Sequence, residues 1–157
     1  MRTLELHLHA PDVDPDRAYA LISDFARYPS MVDTVREVVV DEPASDGSIR
    51  SAWTVRFRTG LLQWTERDVL DPVARTIDFR QITGDFHEFH GQWRLDEAAA
   101  GGTMATFTAT FDLGMATLEA ILDPIALSTL HANIVLIARG LLGAAEEVQP
   151  QVALDPA

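Results

Sequence analysis

Apolar and polar residues alternate strictly over residues 3–8, predicting a strand with Leu4, Leu6 and Leu8 on one face. Pro11-Asp12 ends it. Asp14-Pro15 then has the form of a helix start, an N-cap acceptor followed by a proline whose missing N–H costs nothing there. Ala18, Leu21, Ile22 and Phe25 supply that helix with an apolar face, Pro29 interrupts after Tyr28, and a second short helical turn runs through Met31 and Val32. From Val35 the period becomes two. Segments 35–40, 49–58, 61–70, 76–82, 86–95 and 103–113 read as strands, separated by turn signals that include Asp46-Gly47, Thr59-Gly60, Asp71-Pro72 and Gly101-Gly102. Trp53, Val55 and Phe57 share one face against Thr54, Arg56 and Arg58, while Phe89, Trp93 and Leu95 share theirs with His87 and Gly91. Ala105, Phe107, Ala109, Phe111 and Leu113 face inward and Thr106, Thr108 and Thr110 outward. Short turns between successive strands predict an antiparallel meander.

The period changes once more near the C-terminus. Asp123-Pro124 opens a helix that nothing breaks until about residue 147, with Leu127, Leu130, Ile134, Ile137 and Leu141 as its stripe and Gly140 and Gly143 inside it for close packing. Residues 1–147 therefore read as one α+β domain and 148–157 as a tail. A sheet of six or seven strands curls because strands twist. A helix of about 24 residues, roughly 36 Å long, can lie in its concave side without filling it. A cavity between sheet and helix follows, of the kind that holds small organic ligands.

Composition narrows the function. In 157 residues, 47% are apolar and 23% charged, and 24 acidic residues against 12 basic ones give a net charge of −12. Nucleic acid and anionic membrane are excluded as partners, since both require a basic footprint. All 12 basic residues are Arg, a bias that points to a GC-rich coding sequence rather than to binding. The absence of cysteine removes disulfides, thiolate metal sites and cysteine nucleophiles together. No secretory signal and no apolar run of about 18 residues is read, so the expected location is the cytoplasm, with no membrane insertion.

The order of elements carries several short motifs. Asp24-Phe25-Ala26-Arg27-Tyr28-Pro29, Trp64-Thr65-Glu66-Arg67, Thr83-Gly84-Asp85-Phe86, Gln92-Trp93-Arg94-Leu95, Gly102-Thr103 and Phe111-Asp112-Leu113 follow one another in the chain. In this order and spacing the sequence resembles the START-like, helix-grip superfamily over roughly residues 3–147. Within it the chain is most similar to single-domain polyketide aromatase/cyclases of actinomycetes, and nearly as similar to coenzyme-Q-binding START-like proteins. The resemblance implies an α+β helix-grip fold: a curved six- to seven-stranded antiparallel sheet around a long C-terminal helix, with two short helices after the first strand. It also implies a cavity that folds a poly-β-ketone chain, delivered on an acyl carrier protein, for aldol closure and dehydration, without cofactor or metal. The alternative it implies is a non-catalytic carrier of a quinone or polycyclic lipid.

Such a cyclisation needs a group that removes a proton between two carbonyls, a donor to the developing alkoxide, and flat apolar walls. Trp53, Trp64, Phe89, Trp93 and Phe107 fall on inward faces and serve as walls or simply as core. Glu66 lies two positions after Trp64 and so shares its face, where an apolar setting would raise its pKa and suit it to acid–base work. The alternative register places Glu66 and Asp68 in solvent and Arg67 inward. The cyclases carry a pocket Arg on this strand, and the matching position here is Asp68, one residue past Arg67. The catalytic candidates are therefore Glu66, Arg67 and His87, the last on the Trp93 face and a candidate neutral base. On the long helix, angular position favours His131 and the resemblance favours Asn133. Tyr28 and Met31 are expected at the mouth. His7 and His9, two apart on the first strand, belong to its outer face. Arg56, Arg58, Arg67 and Arg80 are placed on the outer sheet face, where an acidic carrier protein could dock.

Overall fold

Residues 2–57, 60–113 and 119–148 are described by the computed structural model. The N-terminal alternation forms β1 (Arg2–Ala10), and Leu4, Leu6 and Leu8 are buried on one face as expected, with Ala10 beside them. Asp14 caps α1 (Pro15–Ser23) by accepting from the Arg17 N–H at 2.9 Å. A 3-10 turn (Phe25–Arg27) and the single-turn α2 (Tyr28–Met31) follow. Then come β2 (Val35–Val40), β3 (Ile49–Phe57), β4 (Gly60–Asp71), β5 (Thr76–Gly84), β6 (Glu88–Glu97) and β7 (Thr103–Asp112), the long helix α3 (Glu119–Leu142) and the two-residue β8 (Glu146–Glu147). Arg58, Thr59 and the tail from residue 149, together with the side chains of Phe57, Asp123 and Pro124, lie outside the described residues.

All eight strands join one antiparallel sheet in the order β2-β3-β4-β5-β6-β7-β1-β8. That is one strand more than the sequence predicts, and the reason lies at the end of α3. The pattern predicts a helix from Asp123 to about residue 147, but α3 starts at Glu119 and stops at Leu142. Gly143 takes a φ of +80° and donates its N–H to the Arg139 carbonyl at 3.1 Å, a left-handed cap that glycine adopts at little cost. The chain then folds back, and Glu146 and Glu147 pair with His9 and Leu8 of β1.

The sheet curls round α3, and Ile134, Ile137, Ala138 and Leu141 are buried beneath the helix. The segment Ile125–Leu142 has a mean hydropathy of 1.6 over 18 residues and is long and apolar enough to cross a membrane by length and composition, and 39% of it is buried in the fold. Against that expectation, then, the chain does contain such a run, and the sheet grips it. Gly140 marks where α3 meets the α2 end, since a Cβ there would lie 2.7 Å from the Met31 carbonyl oxygen.

Two irregularities place the site. In β2, Arg36 is skipped between the pairs Val35↔Val55 and Glu37↔Thr54. In β5, Ile82 is skipped between Thr65↔Thr83 and Glu66↔Gln81. By contrast, β3 and β4 pair without interruption from Ile49↔Asp68 to Phe57↔Gly60. Unbroken alternation puts Leu62, Trp64, Glu66 and Asp68 on the concave face together.

Candidate functional site

Between the sheet and α3 lies a cavity of about 80 Å³ lined by ten aromatic side chains. Its walls follow from strand register. Trp53 and Trp64 are a direct cross-strand pair with nearly parallel rings, 6.0 Å apart and 3° between planes. Trp93 pairs with Phe107 and Phe89 with Phe111 in the same way. Contacts continue from Trp64 to Phe89 (5.4 Å), Phe89 to Phe79 (5.2 Å) and Phe79 to Phe107 (5.7 Å), so the rings form one connected wall. Gly84 faces Trp64 across β4 and β5. A Cβ there would sit 2.4 Å from the Trp64 Cβ, and the φ of +148° adds strain for any other residue.

Phe25, Phe79, Phe86 and Phe111 line the cavity as well, beyond the site residues that the sequence points to. Phe79 and Phe111 carry the alternation of their strands and were legible as inward. Phe86 was not. It sits in the β5–β6 turn, turned inward because Gln81 clamps its backbone, donating to the Phe86 carbonyl at 2.8 Å and accepting from its N–H at 3.2 Å. Asp85 fastens the same turn to β4 by accepting from the Gln63 N–H at 2.7 Å.

That turn also displaces His87. Strand β6 begins at Glu88, so alternation does not extend back to residue 87, and His87 is exposed rather than on the Trp93 face. Arg67 is likewise not in the cavity. The one bulge near it is in β5, so β4 keeps its register and Arg67 points outward, 2.6 Å from Asp46 and with its Nε 3.1 Å from Ser48 Oγ. Met31 is 44% exposed at the end of α2 and does not line the cavity, while Tyr28 sits in the wall rather than at a mouth. The Tyr28 hydroxyl donates to the Ile22 carbonyl and is committed there.

On α3 the choice between two residues is settled by the helix's rotation. The lining residues Ala126, Leu130, Asn133, Ile134 and Ile137 centre the stripe so that Asn133 lies about 40° from it and His131 about 120° away. Asn133 is buried and lines the cavity, its amide making only a long 3.4 Å contact with the Arg56 carbonyl. His131 faces Glu147 of β8 at 2.9 Å.

Against these apolar walls, the side chains of one strand supply the acid groups. Glu66 is 5% exposed and Asp68 fully buried. Trp64 Nε1 donates to Glu66 Oε1 at 2.8 Å. Ser51 Oγ donates to Asp68 Oδ2 at 2.5 Å, and Trp53 Nε1 donates to Ser51 Oγ at 2.8 Å. The two carboxyl groups lie two residues apart on the same face of β4, and Asp68 Oδ1 is buried without a hydrogen-bond partner. Burial pushes the Glu66 carboxyl well above the usual range, the contact with Asp68 and its charge push it further, and the Trp64 donor opposes them. Asp68 is raised by burial as well, against the hydrogen bonds from Glu66 and Ser51. Burial, then the charges of Glu66, Asp68 and Asp24, hold the Tyr28 phenol well above its usual value. Glu66 thus presents to an aromatic cavity a carboxyl group whose neutral form burial favours, a group that can give a proton and take it back.

Elsewhere, His7 and His9 lie on the outer side of β1, His9 against the Gly101 carbonyl at 2.8 Å. Among the described residues no three His, Asp or Glu side chains gather to hold a metal. The outer sheet face carries a cross-strand row, Arg50, Arg67, Arg80 and His90, in direct register over β3 to β6. Asp46 neutralises Arg67, and Glu88 lies 3.8 Å from Arg80 and 3.3 Å from His90.

Comparison with known proteins agrees with this architecture. Residues 11–134 match the family described as polyketide cyclase/dehydrase and lipid transport. No curated protein sequence matches the chain. Among solved structures, a protein from Thermus thermophilus superposes with a TM-score of 0.78 at 20% identity, over 89% of this chain and 94% of that one. The Zhui aromatase/cyclase from Streptomyces sp. R1128 gives 0.77 at 20% identity, over 90% and 92%. A START superfamily protein from Mycobacterium smegmatis gives 0.74 at 14% identity, over 90% and 94%.

Proposed function

The chain belongs to the polyketide cyclase/dehydrase and lipid transport family, and from that premise we propose that it is an aromatase/cyclase acting on a poly-β-ketone. The observation that carries the reading is Glu66, a buried carboxylic acid set among aromatic walls. A cavity that only carries an apolar ligand has no need of a desolvated acid, which costs stability to bury.

The chemistry balances on that one group. As the α-carbon of one keto unit bonds to the carbonyl carbon of another, Glu66 gives its proton to the carbonyl oxygen, which becomes a hydroxyl. The resulting carboxylate takes up the proton lost from the α-carbon and is an acid again. In the dehydration Glu66 gives this proton to the hydroxyl, which leaves as water, and its carboxylate takes up the proton lost from the neighbouring carbon as the C=C bond forms. The stacked rings would hold the chain folded, and the Asn133 amide, which lines the cavity, would hydrogen-bond a carbonyl. At about 80 Å³ the cavity is smaller than the roughly 300–1,000 Å³ usual for small-molecule sites. Binding therefore requires wall rings to turn or α3 to shift, and it should change tryptophan fluorescence. An acyl carrier protein in the cytoplasm is the partner this reading implies.

The second reading, a carrier of a quinone or polycyclic lipid, is favoured by walls that are apolar apart from Glu66, Asn133 and the indole and phenol groups. Product analysis of a reconstituted minimal polyketide synthase separates the two. Addition of the protein should redirect shunt products to one defined aromatic ring, and Glu66→Gln should abolish that shift. Products unchanged over several chain lengths would sink the cyclase reading and leave quinone binding to be measured.

A further inference from the structure

Asp68 does not line the cavity, yet it is fully buried and its contacts are ordered in one direction. Trp53 Nε1 can only donate, so Ser51 Oγ accepts from it at 2.8 Å and spends its own hydrogen on Asp68 Oδ2 at 2.5 Å. Asp68 Oδ1 then has no partner unless the neighbouring carboxyl supplies a proton. Glu66, two residues away on the same face of β4, is the carboxyl group beside it. Glu66 in turn receives the Trp64 indole N–H at 2.8 Å on Oε1. Asp68 Oδ1 is satisfied only with one hydrogen between the two carboxyl groups, and the 2.5 Å bond from a Ser51 hydroxyl that itself accepts from Trp53, against 2.8 Å from the Trp64 indole to Glu66, favours the charge on Asp68 and the hydrogen on Glu66.

We propose that Asp68, held by Ser51, is a positioning residue that keeps the proton on Glu66 and orients that carboxyl group toward the cavity. This rests on the reading of Glu66 as the acid of the site. Other charged or titratable groups facing the pair are few. They are the Tyr28 phenol of α2, pushed well up by burial, and Asp24 just before the 3-10 turn; α3 brings only the uncharged Asn133, and no Arg or His lines the cavity among the described residues. Nothing cationic therefore competes with Asp68 in setting where the proton sits. A serine–aspartate support behind a glutamic acid also explains why two acids, rather than one, are buried on the inner face of β4.

Infrared difference spectra over a pH series test this without any substrate. The wild type should show a carboxylic acid C=O band at neutral pH that disappears in Glu66→Gln. Asp68→Asn removes the neighbouring charge and offers an amide donor to ionised Glu66, so the band should titrate at lower pH, by about tenfold in proton affinity. Ser51→Ala removes a donor to Asp68 and should move the midpoint the other way, by a smaller factor, and it carries the test alone if Asp68→Asn does not fold. A merely structural role for Asp68 predicts lower stability with an unmoved midpoint, which would overturn the proposal. So would an acid band that survives Glu66→Gln and disappears in Asp68→Asn. A protein without cyclase activity that still shows both opposite shifts keeps the Asp68 assignment and loses the cyclase reading. Cyclisation with unmoved midpoints does the reverse.

Discussion

Two carboxylates on opposite faces of the same sheet behave in opposite ways. Asp46 is exposed in the β2–β3 turn, where the Ser48 hydroxyl and N–H donate to it and Arg67 adds a positive charge, and its pKa falls to about 2. Glu66, one residue along β4 from Arg67, is buried among rings with a second acid beside it and is pushed well up. Both have hydrogen-bond donors. Water and the sign of the nearest charge make the difference. The outer site is an ordinary solvated ion pair, and the inner one a carboxyl group whose neutral form burial favours.

The strongest way to break the inner region is to remove its wall. Phe107→Ala deletes a buried ring in contact with Trp93 at 4.8 Å and Phe79 at 5.7 Å. It should cost about 3–5 kcal/mol, read as a lower urea midpoint with an unchanged slope. Gly84→Ala is the next largest. Its methyl group would overlap Trp64 and force β5 from β4, for a loss of about 1–3 kcal/mol and an altered near-ultraviolet circular dichroism of the indoles.

Glu66→Gln sharpens the comparison instead of breaking it. Because the folded pKa of Glu66 lies above its unfolded value, its protonation favours the folded state fully below the unfolded pKa, near the ordinary value of 4.5, and that stability is lost as pH rises through the folded pKa. Within that window the wild type should lose stability relative to Glu66→Gln with a slope approaching about 1.4 kcal/mol per pH unit. Denaturant titrations at several pH values above 4.5 check this, and parallel curves for the two proteins would contradict a raised Glu66.

The outer variants should do least. Arg67→Ala breaks an exposed pair whose two side chains are 54% and 55% accessible. It should leave the urea midpoint and the products of the polyketide assay unchanged. A loss of cyclisation in this variant would show that the two faces are not independent and that the outer row serves the reaction.

How much of the site could be read beforehand depended on the distance over which a pattern holds. On β4 the period of two was enough to put Trp64, Glu66 and Asp68 together, once β3 proved to pair with it without a bulge. The same rule failed for His87, because a strand's period says nothing about the turn before it, and there Gln81 brings in Phe86 instead. On α3 the apolar residues defined a stripe too broad to separate His131 from Asn133, since they cover the sheet, α1 and α2 as well as the cavity. Residues far apart in the chain, such as Ser51 and Asp68, carry no local signal of their hydrogen bond.

By itself, then, the sequence determined the elements, their antiparallel order, the helix-grip architecture and which strand faces bear the aromatic residues, because these depend on periodicity and turn chemistry within short stretches of chain. The tertiary structure alone decided the eighth strand, the rotation of α3 that turns Asn133 inward, the exclusion of Arg67 and His87, and the joining of Glu66, Asp68, Ser51 and Trp53. Each of those depends on register between strands or on the packing of one element against another. A proton's position between two buried acids depends on both.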